Sequence, residues 1–159
     1  MKITVIAVGK IKEKYLTEGI GEFTKRLTPF CRLNIIEVNE EKMPDNPSGA
    51  EKAKALAREG EKILKHLRPG SYHIVLDLGG KQKTSEEFAA KLDELALNGR
   101  SDITFTIGGA FGLSPEVLAV ADERLSFSKM TFTHQMVRLF LVEQVYRAFK
   151  ISRGEPYHW

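Results

Sequence analysis

Apolar segments rich in β-branched residues alternate with capped helical segments along this 159-residue chain, and this alternation constrains its fold more than any other feature. Strands joined through helices run parallel and are covered on both faces of the sheet. The sequence therefore predicts a single α/β domain over residues 1–159, with one mostly parallel sheet and helices on both faces. The predicted strands are Lys2–Val8, Leu33–Val38, Tyr72–Leu78, Asp102–Ile107 and Arg124–Phe127.

Capping residues mark where the helices begin. Ser48 and Thr84 each precede a glutamate by three residues, which is the pattern of a capping box. Ser114 stands before Pro115, and serine followed by proline is a typical helix start. The predicted helices are Tyr15–Leu27, Ser48–Leu67, Thr84–Asn98, one that opens at Ser114-Pro115, and Thr133–Lys150.

The last predicted helix, Thr133–Lys150, is apolar around almost its whole circumference. Its own sheet can bury one face, and a helix that is apolar all round needs a second covering surface. In a domain of this size the expected cover is a second copy of the chain, packed through a two-fold interface. The sequence therefore predicts a homodimer built on this helix.

Composition excludes several classes of protein. Hydrophobic residues make up 42% and charged residues 28%, which is typical of a globular chain. No apolar run is long enough to cross a bilayer, and the N-terminus lacks the features of a signal peptide. The single cysteine, Cys31, fits a reducing cytoplasm. We therefore expect a cytoplasmic protein. The histidines have no partners at metal-ligand spacing, so we expect no metal.

Positive charge is concentrated in the C-terminal segment. The net charge is +3, and from Arg124 onward six basic residues face two acidic ones, which gives +4 there and −1 for the first 123 residues. Such a surplus attracts a polyanion, although charged clusters are often only solvated surface.

Two loops in the C-terminal part of the chain, residues 102–159, are suited to a ligand. The segment Ile107–Leu113 places three glycines between a strand and the Ser114 helix, so that backbone can approach a bound molecule. The segment Leu125–Phe132 mixes apolar residues with Ser128 and Thr131, as an adenine pocket requires. In contrast, Gly9-Lys10 lacks the spacing of a dinucleotide fingerprint, and residues 79–85 lack that of a phosphate loop.

Together these motifs carry a resemblance. The chain resembles the SPOUT-class methyltransferases that act on large-subunit ribosomal RNA, and more narrowly the pseudouridine-N3 methyltransferase H family. The resemblance covers the whole chain and rests on Ile107–Leu113, Leu125–Phe132, His134–Met136, Leu141–Lys150 and Pro156–His158.

The resemblance implies a specific reaction and fold. Members of that family transfer a methyl group from S-adenosylmethionine to N3 of a pseudouridine in 23S ribosomal RNA, with intact ribosomal particles as the expected substrate. Their C-terminal segment is threaded into a trefoil knot, an exception to the rule that chains do not thread loops. Their subunits pair so that each site lies at the dimer interface.

The resemblance also places the cofactor contacts. Carried over residue by residue, they fall on Leu76, Gly108, Phe127, Ser128, Lys129, Met130, Thr131 and Phe132. One position departs from the family, which often ends in a basic residue where this chain has Trp159. A substrate contact made by that last cation is therefore not expected here.

The chemistry needs a group that handles a proton, because an imide N–H is a poor nucleophile until it is ionised. His158 has an ordinary pKa of about 6.5, which suits a general base. The aromatic tail is expected to dock over the cofactor, so that His158 and Tyr157 orient or deprotonate the pseudouridine. Arg138 and Arg153 are the candidates for contact with the RNA. His134 is expected to be a structural hydrogen-bonding residue.

Two other functions remain open from the residues alone. A non-catalytic RNA-binding or ribosome-assembly module would use the same basic C-terminal face. A flavodoxin-like nucleotide binder would need a phosphate loop after the first strand, which Gly9–Lys12 does not provide. Saturable binding of S-adenosylmethionine separates the enzyme from the binding module.

Overall fold

The computed structural model describes residues 1–159 and contains five strands and five helices. The strands are β1 (Lys2–Val8), β2 (Arg32–Val38), β3 (Tyr72–Gln82), β4 (Asp102–Ile107) and β5 (Glu123–Ser126). The helices are α1 (Lys14–Leu27), α2 (Gly49–His66), α3 (Ser85–Leu97), α4 (Pro115–Ala119) and α5 (His134–Ser152). No helix has both the length and the apolarity that a membrane span requires.

All five strands run parallel in one sheet of order β2-β1-β4-β3-β5. The predicted α/β class and parallel sheet are therefore confirmed. The predicted capping residues are also confirmed, because a side-chain oxygen accepts a backbone N–H in the first turn of each helix concerned. These residues are Ser48, Thr84, Ser114 and Thr133.

Strand β1 supplies the core on both faces of the sheet. Successive side chains of a strand point to opposite faces. Ile3, Val5 and Ala7 pack in the layer formed with α1, α3 and α5, whereas Ile6 and Val8 pack in the layer formed with α2 and α4. A strand buried on both faces must be apolar throughout, which is why its sequence is an almost continuous apolar run.

Helix α5 packs between α1 and α3 on one face of the sheet. Leu141, Val142 and Val145 are fully buried, and Leu139 lies close against Gly19 of α1. Neighbouring helices of the same chain therefore account for much of the apolar circumference that the sequence shows. The homodimer remains a prediction, and the circumference of α5 alone no longer supports it.

Strand β3 is longer than the sequence predicts. Its predicted end is Leu78, but Leu125 of β5 pairs both with Leu76 and with Lys81, so the four residues 77–80 bulge out of the ladder. A Cβ atom on Gly80 would lie 2.7 Å from the carbonyl carbon of Arg124, so only glycine fits there. The bulge directs residues 77 and 78 toward the carboxyl edge of the sheet.

Burial of His73 on β3 makes stability depend on pH. The imidazole is 1% exposed, its Nε2 lies 2.7 Å from Thr106 Oγ1, and its Nδ1 has no hydrogen-bond partner. Burial lowers the pKa of His73 below its usual value. The unfolded chain therefore takes up a proton near pH 6.5 that the folded chain binds only at lower pH.

We expect the free energy of unfolding to fall as the pH drops from about 7 to about 5, because of this difference in proton uptake. Urea unfolding at several pH values should show a shallower fall in the His73→Gln variant than in the wild type. His66→Gln, which changes an exposed histidine, is the matched control and should keep the wild-type slope. Equal slopes in all three proteins would contradict this assignment.

Candidate active site

A cavity of about 970 Å³ opens at the carboxyl edge of the sheet. The residues that follow β3, β4 and β5 form its walls, together with the first turns of α1 and α5. Ligand pockets in proteins are typically of roughly 300–1,000 Å³, and in open α/β sheets they lie at this edge. The cavity can therefore hold a molecule of cofactor size.

The two loops that the sequence singles out converge on this cavity, together with Leu76 near the end of β3. Of the predicted cofactor contacts, all except Lys129 line it: Leu76, Gly108, Phe127, Ser128, Met130, Thr131 and Phe132. Lys129 lies in the same loop with its side chain exposed, outside the cavity wall. Residues as far as 56 positions apart in the sequence, Leu76 and Phe132, thus form one wall.

The turn at Gly108–Gly112 folds back on itself so closely that a side chain does not fit at Gly108. The Gly112 N–H donates a hydrogen bond to the Gly109 carbonyl at 3.1 Å, and Gly112 has a φ of +85°. A Cβ atom on Gly108 would lie 2.4 Å from the Gly112 carbonyl oxygen. Glycine at Gly108 is therefore required for the turn to fold back on itself, and the folded turn presents its backbone to the cavity.

Hydroxyl groups fix the shape of the loop after β5. Ser126 Oγ donates to the Ser128 carbonyl at 3.0 Å, and Ser128 Oγ accepts the Met130 N–H at 3.0 Å. The Phe132 ring packs edge-on against Phe140 of α5, with ring centroids 5.2 Å apart. These contacts hold the loop against the start of α5, so the cavity wall is preformed.

The C-terminal tail docks, but not over the cavity of its own chain. His158 Nε2 lies 2.7 Å from Glu86 of α3, and Arg147 Nη1 lies 3.1 Å from His158 Nδ1. The Tyr157 hydroxyl donates to Glu143 at 3.2 Å. Arg147 comes ten residues after the last cavity residue of α5, a distance of about 15 Å along the helix.

The structure corrects the RNA contact predicted for Arg138. Its side chain is 2% exposed and points into the fold, where Nη1 lies 2.5 Å from Glu37 and Nη2 donates to the Gly9 carbonyl at 3.1 Å. Both partners are more than 100 residues away in the sequence, so its sequence neighbourhood gives no sign of the pairing. Arg153 is exposed above the Phe30 ring, and its RNA contact remains a prediction.

Three of the six C-terminal basic residues pair with a carboxylate of the chain. Arg147 pairs with Glu143 and Lys150 with Glu155, in addition to the pair that Arg138 forms. Arg124 and Lys129 remain exposed without an ion pair. Arg153 is exposed and unpaired as well, so of the four surplus cations the fold removes only Arg138 from the surface.

His134 is the histidine that lines the cavity. It is the first residue of α5, and its Nε2 would lie 3.6 Å from a Cβ atom on Gly9. Burial lowers the pKa of His134, so the imidazole is neutral and can accept a proton at physiological pH. The structural role predicted for His134 therefore does not describe its place in the cavity wall, which its position two residues after the Leu125–Phe132 loop indicates.

Comparison with known proteins identifies the family. Residues 1–158 match the family described as "Predicted SPOUT methyltransferase". The ribosomal RNA large subunit methyltransferase H of Pelotomaculum thermopropionicum is 57% identical over 157 residues, which are 99% of this chain and 98% of that protein. The proteins of the same name from Carboxydothermus hydrogenoformans and Halothermothrix orenii are each 58% identical over 158 residues, 99% of either chain.

A solved structure shares the fold. This structure, of a probable methylase family protein from Haemophilus influenzae, superimposes with a TM-score of 0.51 at 16% identity. The match covers 99% of this chain and 70% of the other. On the family match and the full-length relatives, the chain belongs to the SPOUT methyltransferase family.

We expect Arg138→Met to destabilise the protein by about 2–4 kcal/mol. The substitution leaves the buried Gly9 carbonyl without its donor and removes the bond to the partly exposed Glu37 carboxylate. An unsatisfied buried group costs about 1–3 kcal/mol, and the lost hydrogen bond between charged groups adds to it. Urea unfolding measures the change. Arg153→Met, the exposed arginine near the other end of α5, is the matched control and should unfold close to the wild type. Equal stability of the two variants would show that the internal pair contributes nothing.

Proposed function

We propose that this chain transfers a methyl group from S-adenosylmethionine to N3 of a pseudouridine in 23S ribosomal RNA. Its expected substrate is the assembled ribosomal particle, in the cytoplasm. Support comes from the family and from the names of full-length relatives at 57–58% identity. The observation that carries the proposal is the convergence of three loops on one cavity of cofactor size.

The cavity fits the proposed cofactor. Leu76, Phe127 and Phe132 supply apolar walls for an adenine ring, while the folded turn at Gly108–Gly112 supplies backbone groups. Bound S-adenosylmethionine supplies a methyl carbon activated by its sulfonium. The chain contributes a preformed wall that fixes the direction in which the base approaches the methyl carbon. Positioning of this kind provides much of the acceleration of a displacement at that carbon.

The group that removes the imide proton must lie near N3 of the bound pseudouridine. Within one chain the candidate is His134, which is neutral and lies on the cavity wall. His158 and Tyr157 are the candidates from the tail, and in their own chain they dock on α3 and α5 and do not line the cavity. They can serve the reaction only if the tail of another copy, or a rearranged tail, reaches the cavity.

Exposed apolar side chains support the proposed homodimer. Five of the eight large hydrophobic residues that are exposed in the chain line this one cavity. Three of them, Leu78, Met130 and Phe132, form a rim on the side of β3 and β5, and a cluster of this kind marks an interface. We propose that a second copy covers this rim, and that the C-terminal segment is threaded as the trefoil knot of the family.

A two-fold axis across α5 would make the two copies of this helix antiparallel. The C-terminal end of one α5, with its docked tail, would then lie beside the N-terminal end of the other, where the cavity opens. This arrangement places His158 and Tyr157 of each chain next to the cavity of its partner. The site proposed here is therefore shared between two chains.

The function is tested by incubating the protein with labelled S-adenosylmethionine and ribosomes that lack the modification, then mapping the methylated nucleoside. We expect label at N3 of one pseudouridine in 23S RNA. Deletion of Tyr157–Trp159 should abolish methylation and leave cofactor binding intact, because these residues lie outside the cavity wall. Absence of label together with absence of cofactor binding would favour the RNA-binding module instead.

Mixed dimers test whether the site is shared. Gly108→Ala disables the cavity of its own chain, since the added Cβ would meet the Gly112 carbonyl oxygen at 2.4 Å. Deletion of Tyr157–Trp159 removes the tail that serves the cavity of the partner. Each variant alone should be inactive. Refolding an equal mixture should restore about a quarter of wild-type methylation, because half of the dimers then contain one complete site. An inactive mixture that still forms dimers would show that each tail serves its own chain.

A further inference from the structure

The segment that follows β1 carries cations that the folded chain leaves free. Lys10, Lys12 and Lys14 are all exposed within five residues. Lys10 and Lys12 form no ion pair, and Lys14 lies 3.7 Å from Glu18 in a solvent-exposed pair that contributes little. We call Lys10–Tyr15 the basic loop. It lies in the N-terminal part of the chain, whose net charge gives no indication of a polyanion site.

The basic loop is held in place by the buried guanidinium of Arg138. This guanidinium donates to the carbonyl of Gly9, the residue before the loop, at 3.1 Å. Its other partner, the Glu37 carboxylate, accepts the Ile11 N–H at 3.1 Å. One internal ion pair therefore fixes the loop at two backbone positions. A preformed loop loses less conformational entropy when it binds a ligand than a mobile one does.

The loop also forms part of the cavity mouth. Glu13 and Tyr15 line the cavity, and the Tyr15 side chain is 64% exposed at its rim. The lysines alternate with these residues and so lie beside the mouth, on the side of β1. Strand β4 separates this side from β3 and β5, which precede Leu78 and Met130 of the rim assigned to the second copy. A strand of RNA that enters the cavity from the β1 side would pass over the loop.

Two of the four acidic groups around the basic loop pair with a cation of the chain. Glu37 is neutralised by Arg138, and Glu13 faces the cavity. Glu18 is the partner of Lys14, and Glu40 lies near Gly9 and His134. Lys10 and Lys12 are thus cations on the β1 side of the mouth that can exchange their counterions for phosphate groups.

We propose that the basic loop binds the phosphate backbone of the RNA strand next to the target nucleotide, with Arg138 as its positioning residue. Identification of the ligand as RNA rests on the function proposed above. The lysines would supply affinity without sequence preference, since phosphate contacts position a nucleic acid and carry no base information. The role in RNA contact predicted for Arg138 becomes an indirect one.

The test replaces Lys10, Lys12 and Lys14 together by alanine. The control replaces Lys25, Lys54 and Lys65, three exposed lysines on α1 and α2 away from the cavity, and so removes the same charge. Binding to ribosomal particles that lack the modification is measured between about 50 and 200 mM salt, where phosphate contacts dominate the salt dependence. Cofactor binding and methylation kinetics are measured on the same proteins.

We expect the basic-loop variant to bind particles at least about tenfold more weakly, with a salt slope shallower by about two. Its KM for particles should rise while kcat and cofactor affinity stay close to wild type. The control should behave as the wild type does. Equal weakening in both variants, or an unchanged salt slope in the basic-loop variant, would overturn the proposal.

Failure of the proposed function has a different signature. A wild-type protein that binds particles and transfers no methyl group would overturn that function, and the comparison of salt slopes would still decide the role of the loop. A wild-type protein that binds no particles overturns the loop proposal as well.

Discussion

Parallel pairing of all five strands is the constraint on which the rest of the structure depends. Because the strands share one direction, every loop that follows a strand emerges at the same edge of the sheet. The order β2-β1-β4-β3-β5 then places the loops after β3, β4 and β5 side by side, although residues of the wall they form lie as far as 56 positions apart in the sequence. The cavity, the exposed apolar rim and the basic loop all lie at this edge.

Local signals in the sequence predicted most of the fold. Capping residues and apolar periodicity depend on neighbours three or four positions away, and β1 and β4 have the predicted bounds. The glycine turn and the Leu125–Phe132 loop were predicted to lie at one site, and the structure brings them to one cavity wall. That prediction was possible because topology alone decides where loops after parallel strands meet.

Features set by distant partners could not be predicted in this way. Arg138 was expected at the surface, but its partners Gly9 and Glu37 come from the first two strands and their loops. The extension of β3 beyond Leu78 forms because residues 81 and 82 pair with β5, which lies more than 40 residues later in the sequence. Gly80 permits this pairing, and its neighbours in the sequence give no sign of it. The tail was expected near the cavity, and its anchors on α3 and α5 are set by side-chain packing that the sequence does not encode locally.

The ion pair between the buried Arg138 and Glu37 connects α5, which carries His134, to the loop that borders the cavity. The central claim is that the loops after β3, β4 and β5 form one cofactor site. Hydrogen exchange with and without S-adenosylhomocysteine tests it most directly. We expect slowed exchange together in residues 76–80, 107–112 and 125–132. Protection confined to one of these segments, or elsewhere in the chain, would contradict the account.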